Sequence, residues 1–156
     1  KRRLMSVLPR TRLCMHYGLT EASRSAFIEF HADADALHSV GKPSPNVEIA
    51  IHSEHGDSAT GGRIGRIKIR SRAVMKEYWR NPDLTSSTIS LDGWLDTGDL
   101  GRFDERGYLY LEGRRDDVIN VGGKKVYPAS VENAVMITGR KRMREASITA
   151  SLNSSP

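Results

Sequence analysis

The sequence predicts an α+β fold: a mainly β body with short helices that passes into a small α/β unit near Gly113. Three observations carry this. Apolar or small residues alternate at Val47, Ile49 and Ile51 and again at Gly65, Ile67 and Ile69, the period of a strand with one buried face. Two pairs of apolar runs bracket turn sequences and read as hairpins, residues 100–103 with 108–111 and residues 118–121 with 125–127. Helical signals are confined to short stretches, residues 82–88 and the turns after Pro128.

Taken in order, residues 4–16 have too little pattern for a firm assignment, although 12–16 read as a strand leading into Tyr17-Gly18-Leu19-Thr20-Glu21. The polar stretch 31–45 contains Gly41, Pro43 and Pro45 and reads as a loop or crossing connection. A strand at 47–51 is followed by a turn-rich connection, 52–62, and by a second strand. On that second strand Arg66, Lys68 and Arg70 share the face opposite Ile67. Three cations on one face suit a phosphate strip or a solvated outer surface, and with no aromatic platform between them the solvated surface is favoured. Residues 89–94 turn through Asp92-Gly93, and residues 104–107 join the first hairpin. Gly122-Gly123 marks the second hairpin or a sharp bend. Pro128 then suits the first turn of a helix that would bury Val131 and Val135, four apart. Beyond Ile137 the periodicity fades into a basic run and a small polar ending.

A chain of 156 residues has room for one ordinary domain or for parts of two. Its 38% hydrophobic and 28% charged residues exclude collagen, wholesale disorder and a membrane bundle. The net charge of +5 raises a nucleic-acid role, but residues 1–12 alone carry +5 and residues 139–156 carry +3, so the middle is −3. No helix-turn-helix, zinc-finger or RNA-recognition pattern accompanies the basic ends, and no specific nucleic-acid partner is expected. Cys14 is the sole cysteine, which excludes an internal disulfide and a multi-cysteine zinc site; a small buried thiol is expected. His52, Glu54, His55 and Asp57 cluster in a turn whose spacing fixes no coordination geometry, so no metal is expected there. No apolar run reaches transmembrane length, and the cytoplasm is the default location, with an address segment ahead of Lys1 left open.

Two groups offer chemistry. Tyr17-Gly18-Leu19-Thr20-Glu21-Ala22 supplies an aromatic ring, a close-approach glycine, a hydroxyl and a carboxylate able to hold Mg²⁺ beside phosphate. The same residues also suit a strand end with a core tyrosine and a helix-capping Thr20. Gly93-Trp94-Leu95-Asp96-Thr97-Gly98-Asp99 places an acid beside a glycine turn, where a carboxylate can accept from ribose hydroxyls. Arg114 follows after a complete hairpin that can return it near Asp99; an ordinary surface ion pair is the alternative.

With a third group, Gly113-Arg114-Arg115-Asp116-Asp117-Val118 through Gly122-Gly123 to Pro128, the chain resembles the adenylate-forming superfamily of AMP-binding acyl-CoA synthetases, luciferases and peptide-synthetase adenylation domains. The likeness runs from about residue 12 to 135. It implies ATP/AMP, Mg²⁺ and coenzyme A as cofactors, and as substrate a carboxylic acid, with fatty acids among the candidates. Residue by residue, it implies that Tyr17 stacks on adenine, with Gly18 beside it, that Thr20 contacts the α-phosphate and that Glu21 holds the metal. Asp99 then binds ribose with Arg114 as its companion, Asp116 is the hinge, and Gly122 and Gly123 line the passage to the pantetheine thiol.

In domain terms, residues 1–114 resemble the end of the large AMP-binding domain, 115–138 the hinge and the start of the small one, and 139–156 a basic and polar tail. Residues 65–78 match a further block whose role in the family is mainly structural. Glu77 stands where the family usually has glycine, Asp96 where it commonly has a basic residue, and Gly122 where some relatives have lysine. The Ser/Thr/Gly-rich phosphate loop expected upstream of Tyr17 and the lysine expected near the C-terminus are not in this sequence. The expectation is therefore a fragment of a carboxylic acid–CoA ligase, inactive or weak alone, with exposed edges prone to self-association. A peptide-synthetase-type segment and a non-catalytic nucleotide-binding or interaction remnant are the alternatives.

Overall fold

Antiparallel pairing organises the computed structural model, which describes residues 1–53, 62–121 and 124–126 together with 131, 134, 135 and 138. The chain divides into two units, Lys1–Arg115 and Asp116–Pro156. In the first, a short helix α1 (Arg2–Val7) precedes a sheet of β1 (Cys14–Tyr17), β2 (Ala26–Glu29) and β3 (Lys42–Pro43), in that order. The second sheet holds β4 (Val47–His52), β5 (Gly65–Ser71), β6 (Leu95–Phe103) and β7 (Leu109–Arg114), each paired with its neighbour in sequence. The sheets are tied where the Leu109 N–H donates to Gly41 O and the Val40 N–H donates to Leu109 O, both at 2.8 Å.

The period-two pattern of β5 becomes its burial pattern. Gly65, Ile67 and Ile69 are buried, and the two isoleucines pack with Ile51, Leu95 and Leu109 in a core that also takes in Tyr17, Ala22 and Ala26. Burial of each such aliphatic side chain is worth about 1.5–3 kcal/mol. On the opposite face Arg66 reaches Asp96 at 3.1 Å and Arg70 meets Glu48 through two bonds of 2.9 and 2.7 Å. That face is therefore an ion-paired outer surface. The predicted hairpin at 104–107 forms, with Phe103 opposite Leu109, and so does the predicted helix, α2 (Pro82–Thr88). Asn81 Oδ1 accepts from the Leu84 N–H at 3.1 Å and Pro82 stands in the first turn, which together fix where α2 begins.

Three expectations are corrected. Cys14 is exposed rather than buried, because alternation along β1 turns Cys14 and His16 outward and directs Met15 and Tyr17 inward. Val131 and Val135 are 49% and 65% exposed. Their four-residue spacing marks a common helical face but does not supply a surface to cover it. The polar stretch 31–45 is not wholly loop, since it holds a 3₁₀ turn at Ala34–Ala36 and the strand β3. In the second unit, β8 (Ile119–Val121) and β9 (Lys124–Val126) pair antiparallel with Val121 opposite Lys124, the hairpin expected around Gly122-Gly123. Among the described residues no helix is long and apolar enough to cross a membrane.

Candidate functional site

The end of β1 and the β6–β7 hairpin meet at Asp99. Tyr17 closes β1, and its phenol donates to Asp99 Oδ2 at 2.6 Å across 82 residues of sequence. Asp99 lies directly opposite Arg114 in the ladder, and Arg114 Nη1 donates to Asp99 Oδ1 at 2.9 Å. The hairpin thus returns Arg114 to Asp99. The Asp99 side chain is 11% exposed and that of Arg114 53%, so the pair has one buried carboxylate and one wet guanidinium. A half-buried, charge-assisted contact of this kind holds its geometry better than a pair of fully solvated side chains. Each oxygen of Asp99 accepts one bond here and can accept another, which leaves capacity for two ligand hydroxyls.

Local backbone aims this carboxylate. Lys68 pairs with Asp96 and Arg66 with Leu100, so Thr97, Gly98 and Asp99 stand opposite Ile67 alone, a bulge of the kind that re-aims side chains beside functional sites. Gly98 adopts φ +72°, a conformation that disfavours a side chain. Thr97 Oγ1 donates to Ile67 O at 2.9 Å and accepts from the Asp99 N–H at 3.0 Å, stitching the bulge to β5. Burial pushes the Tyr17 phenol up from its ordinary range, and its bond to the Asp99 carboxylate adds to this. Tyr17 therefore remains a neutral donor throughout the physiological range.

The loop after Tyr17 is held by its own backbone and by the segment 74–78. Leu19 and Ala22 exchange N–H···O bonds of 3.0 and 3.2 Å. A Cβ on Gly18 would stand 2.6 Å from Arg24 N and 2.8 Å from Ala22 O, so the close approach requiring glycine is made by the loop itself. Thr20 is exposed and precedes no helix, which sets aside the capping role; Tyr17, by contrast, is a core residue. Glu21 O accepts from the Met75 N–H at 2.8 Å, and the Tyr78 hydroxyl donates to Glu21 Oε1 at 2.9 Å. Tyr78 was not foreseen as a site residue. Its separation of 57 residues from Glu21 hides the contact, and the only signal was its place at the end of the block 65–78.

Of the remaining expected positions, Asp116 is exposed in the 3₁₀ turn Arg115–Asp117 and is the first residue of the second unit. Gly122 and Gly123 lie outside the described residues, as do Glu54, His55 and Asp57. An open cavity of about 640 Å³ between 45–48 and 70–73 contains none of the expected site residues.

The profile of the AMP-binding enzymes matches residues 1–79, just over half of the chain. The long-chain-fatty-acid–CoA ligase of Bacillus subtilis is 40% identical over 120 residues, covering 76% of this chain and 21% of that enzyme. The fatty acid–[acyl-carrier-protein] ligase ScoC of Streptomyces coeruleorubidus is 37% identical over 123 residues, covering 76% of this chain and 24% of that protein. The unliganded structure of O-succinylbenzoate coenzyme A synthetase (MenE) from Bacillus subtilis matches with a TM-score of 0.78 at 32% identity, over 87% of this chain and 30% of that one. The same synthetase in complex with ATP and magnesium ion matches with a TM-score of 0.76 at 32% identity, over 86% of this chain and 28% of that one. The chain spans between a fifth and a quarter of the length of the two ligases. On the profile match and these likenesses, the chain belongs to the AMP-binding, adenylate-forming superfamily and is homologous to its acid–CoA ligases.

Proposed function

We propose that the enzyme of which this chain represents a part activates a carboxylic acid with ATP and transfers the acyl group to the thiol of coenzyme A. The acid attacks the α-phosphate, giving an acyl-adenylate and pyrophosphate, and the thiol then displaces AMP. The observation that carries this reading is the Tyr17–Asp99–Arg114 connection, which joins two nucleotide motifs far apart in sequence through one buried carboxylate. In this reading Asp99 accepts from the ribose hydroxyls and Arg114 holds Asp99 in place, while Tyr17 contacts adenine. Gly18 keeps the loop tight, so that Thr20 is presented to the α-phosphate. Asp116 is the hinge between the large and small domains, and Gly122 and Gly123 line the thiol passage.

Glu21 suits Mg²⁺ by its donor chemistry. A carboxylate has two oxygens, Tyr78 engages one of them, and Mg²⁺ characteristically takes one or two protein carboxylates with phosphate and water oxygens. A metal there would neutralise charge that develops on phosphate. Glu21 itself is steadied by Tyr78 and by its backbone bond to Met75.

The sequence holds neither a phosphate loop nor the C-terminal lysine of the family, so the 156-residue chain is assigned nucleotide binding with little or no turnover. Pyrophosphate exchange at the rate of a full enzyme by this chain alone would refute that assignment. A second reading, transfer to a carrier protein, is favoured by the likeness to a fatty acid–[acyl-carrier-protein] ligase. Supplying the longer protein with CoA and with a phosphopantetheinyl carrier in parallel separates the two by which thiol is acylated. Exposed Leu4, Val7 and Leu8 at α1, and the edge position of β1, further support self-association of the isolated chain.

A further inference from the structure

Asp96 precedes the bulge that carries Asp99 and engages both of its carboxylate oxygens. Asp96 Oδ1 accepts from the Gly98 N–H at 3.1 Å, closing the turn in which Gly98 takes its positive φ. Asp96 Oδ2 accepts from Arg66 Nη1 at 3.1 Å and lies 3.7 Å from Arg115 Nη1. The Asp96 side chain is only 18% exposed. Among the described residues Arg66 Nε is buried without a hydrogen-bond partner, and the bond through Nη1 offsets part of the cost of burying this guanidinium. A cation at position 96 would face both arginines and would offer the Gly98 N–H no acceptor.

From this arrangement we infer that Asp96 is a positioning residue for Asp99: by accepting from the Gly98 N–H it closes the Thr97–Asp99 bulge, and closing the bulge fixes where the Asp99 carboxylate points. The lone pairs of Asp99 then remain open to hydroxyl donors. This rests on the reading of Asp99 as the ribose acceptor. Asp96 itself touches no substrate in this account.

The test uses the 156-residue chain as wild type, Asp96→Ala and Asp96→Asn. Amide hydrogen exchange is read at Gly98 and Asp99, and AMP and 2′,3′-dideoxy-AMP are titrated into each protein by calorimetry. In Asp96→Ala the Gly98 amide is expected to exchange about tenfold faster and the preference for AMP to fall about tenfold. Asp96→Asn, which retains the side-chain oxygen, is expected to keep both within about twofold. Unchanged Gly98 exchange in Asp96→Ala overturns the inference. So does faster exchange with an intact AMP preference, because Asp96 would then be structural only. Failure of the wild type to distinguish the two nucleotides counts against the ribose reading; the amide rates then decide the placement of Asp96 by themselves. If Asp96→Ala does not fold, Asp96→Gln takes its place, since it keeps an acceptor for Arg66 but is one methylene too long to close on Gly98.

Discussion

Asp99 accepts from a phenol on one oxygen and a guanidinium on the other, and losing each partner has a different consequence. Asp99→Ala strands the buried Tyr17 hydroxyl without its acceptor and should destabilise the chain by about 1–3 kcal/mol in urea unfolding. Tyr17→Phe removes the donor and leaves Arg114 in place, so the loss should be smaller, about 1–2 kcal/mol. A cost for Tyr17→Phe equal to or above that of Asp99→Ala would contradict the buried-donor argument. The same bond sets a pH dependence. Burial and Asp99 raise the folded-state ionisation of Tyr17 above that of a free phenol. The stabilisation is therefore complete below about pH 10, the unfolded value, and is lost as pH rises toward the folded value. Tyr78, Tyr108 and Tyr110 are shifted in the same direction, Tyr108 chiefly by its hydrogen bond to Asp33. The tyrosinate absorbance that Tyr17 contributes, read as the difference between the wild type and Tyr17→Phe, should consequently appear with unfolding; its appearance near pH 10 in the folded protein would refute this.

Among the elements, β5 and α2 show why some of the fold was legible. The alternation Gly65, Ile67, Ile69 named the buried face of β5 because the strand period is two and one face meets the core. Ile67→Ala should cost about 2–5 kcal/mol, since Ile67 is fully buried; a loss under about 1 kcal/mol would show that the core collapses around the site. For α2, Asn81 and Pro82 sit where a helix start requires them, and Asn81→Ala should cost about 1 kcal/mol in the same assay. Beyond the elements inside 31–45, α1 and β2 also escaped notice, for physical reasons. α1 has no side-chain cap, no acid in its first turn and no buried residue. β2 holds four residues and is bounded by Ser25 and Phe30, with no turn signal on either side. Of the site, the return of Arg114 to Asp99 followed from hairpin geometry. The Tyr17–Asp99 bond and the support of Glu21 by Tyr78 are contacts over long separations that no local pattern encodes. Cys14 was misread because a cysteine's usual burial says nothing of which face of an edge strand it occupies.

At the scale of the molecule, the first unit carries Tyr17, Thr20, Glu21, Asp99 and Arg114, while Asp116, the proposed hinge, opens the second. The exposed Leu4, Val7 and Leu8 should make the isolated chain associate in a concentration-dependent way by sedimentation velocity; a strict monomer at all concentrations would contradict that expectation. The excess positive charge sits at the two ends, whereas among the described residues Arg114 is the cation bonded to Asp99, so added salt should weaken nucleotide binding only modestly. Asp99, held by Tyr17 and Arg114, is the proposed nucleotide-binding carboxylate of this chain. Calorimetric titration of a non-hydrolysable acyl-adenylate analogue into the wild type and into Asp99→Ala, with folding of both verified by circular dichroism, tests this proposal. Saturable binding to the wild type is expected, weakened at least about tenfold in Asp99→Ala by the loss of two hydroxyl-to-carboxylate bonds. No binding to the folded wild type, or equal affinity in the two proteins, would contradict it.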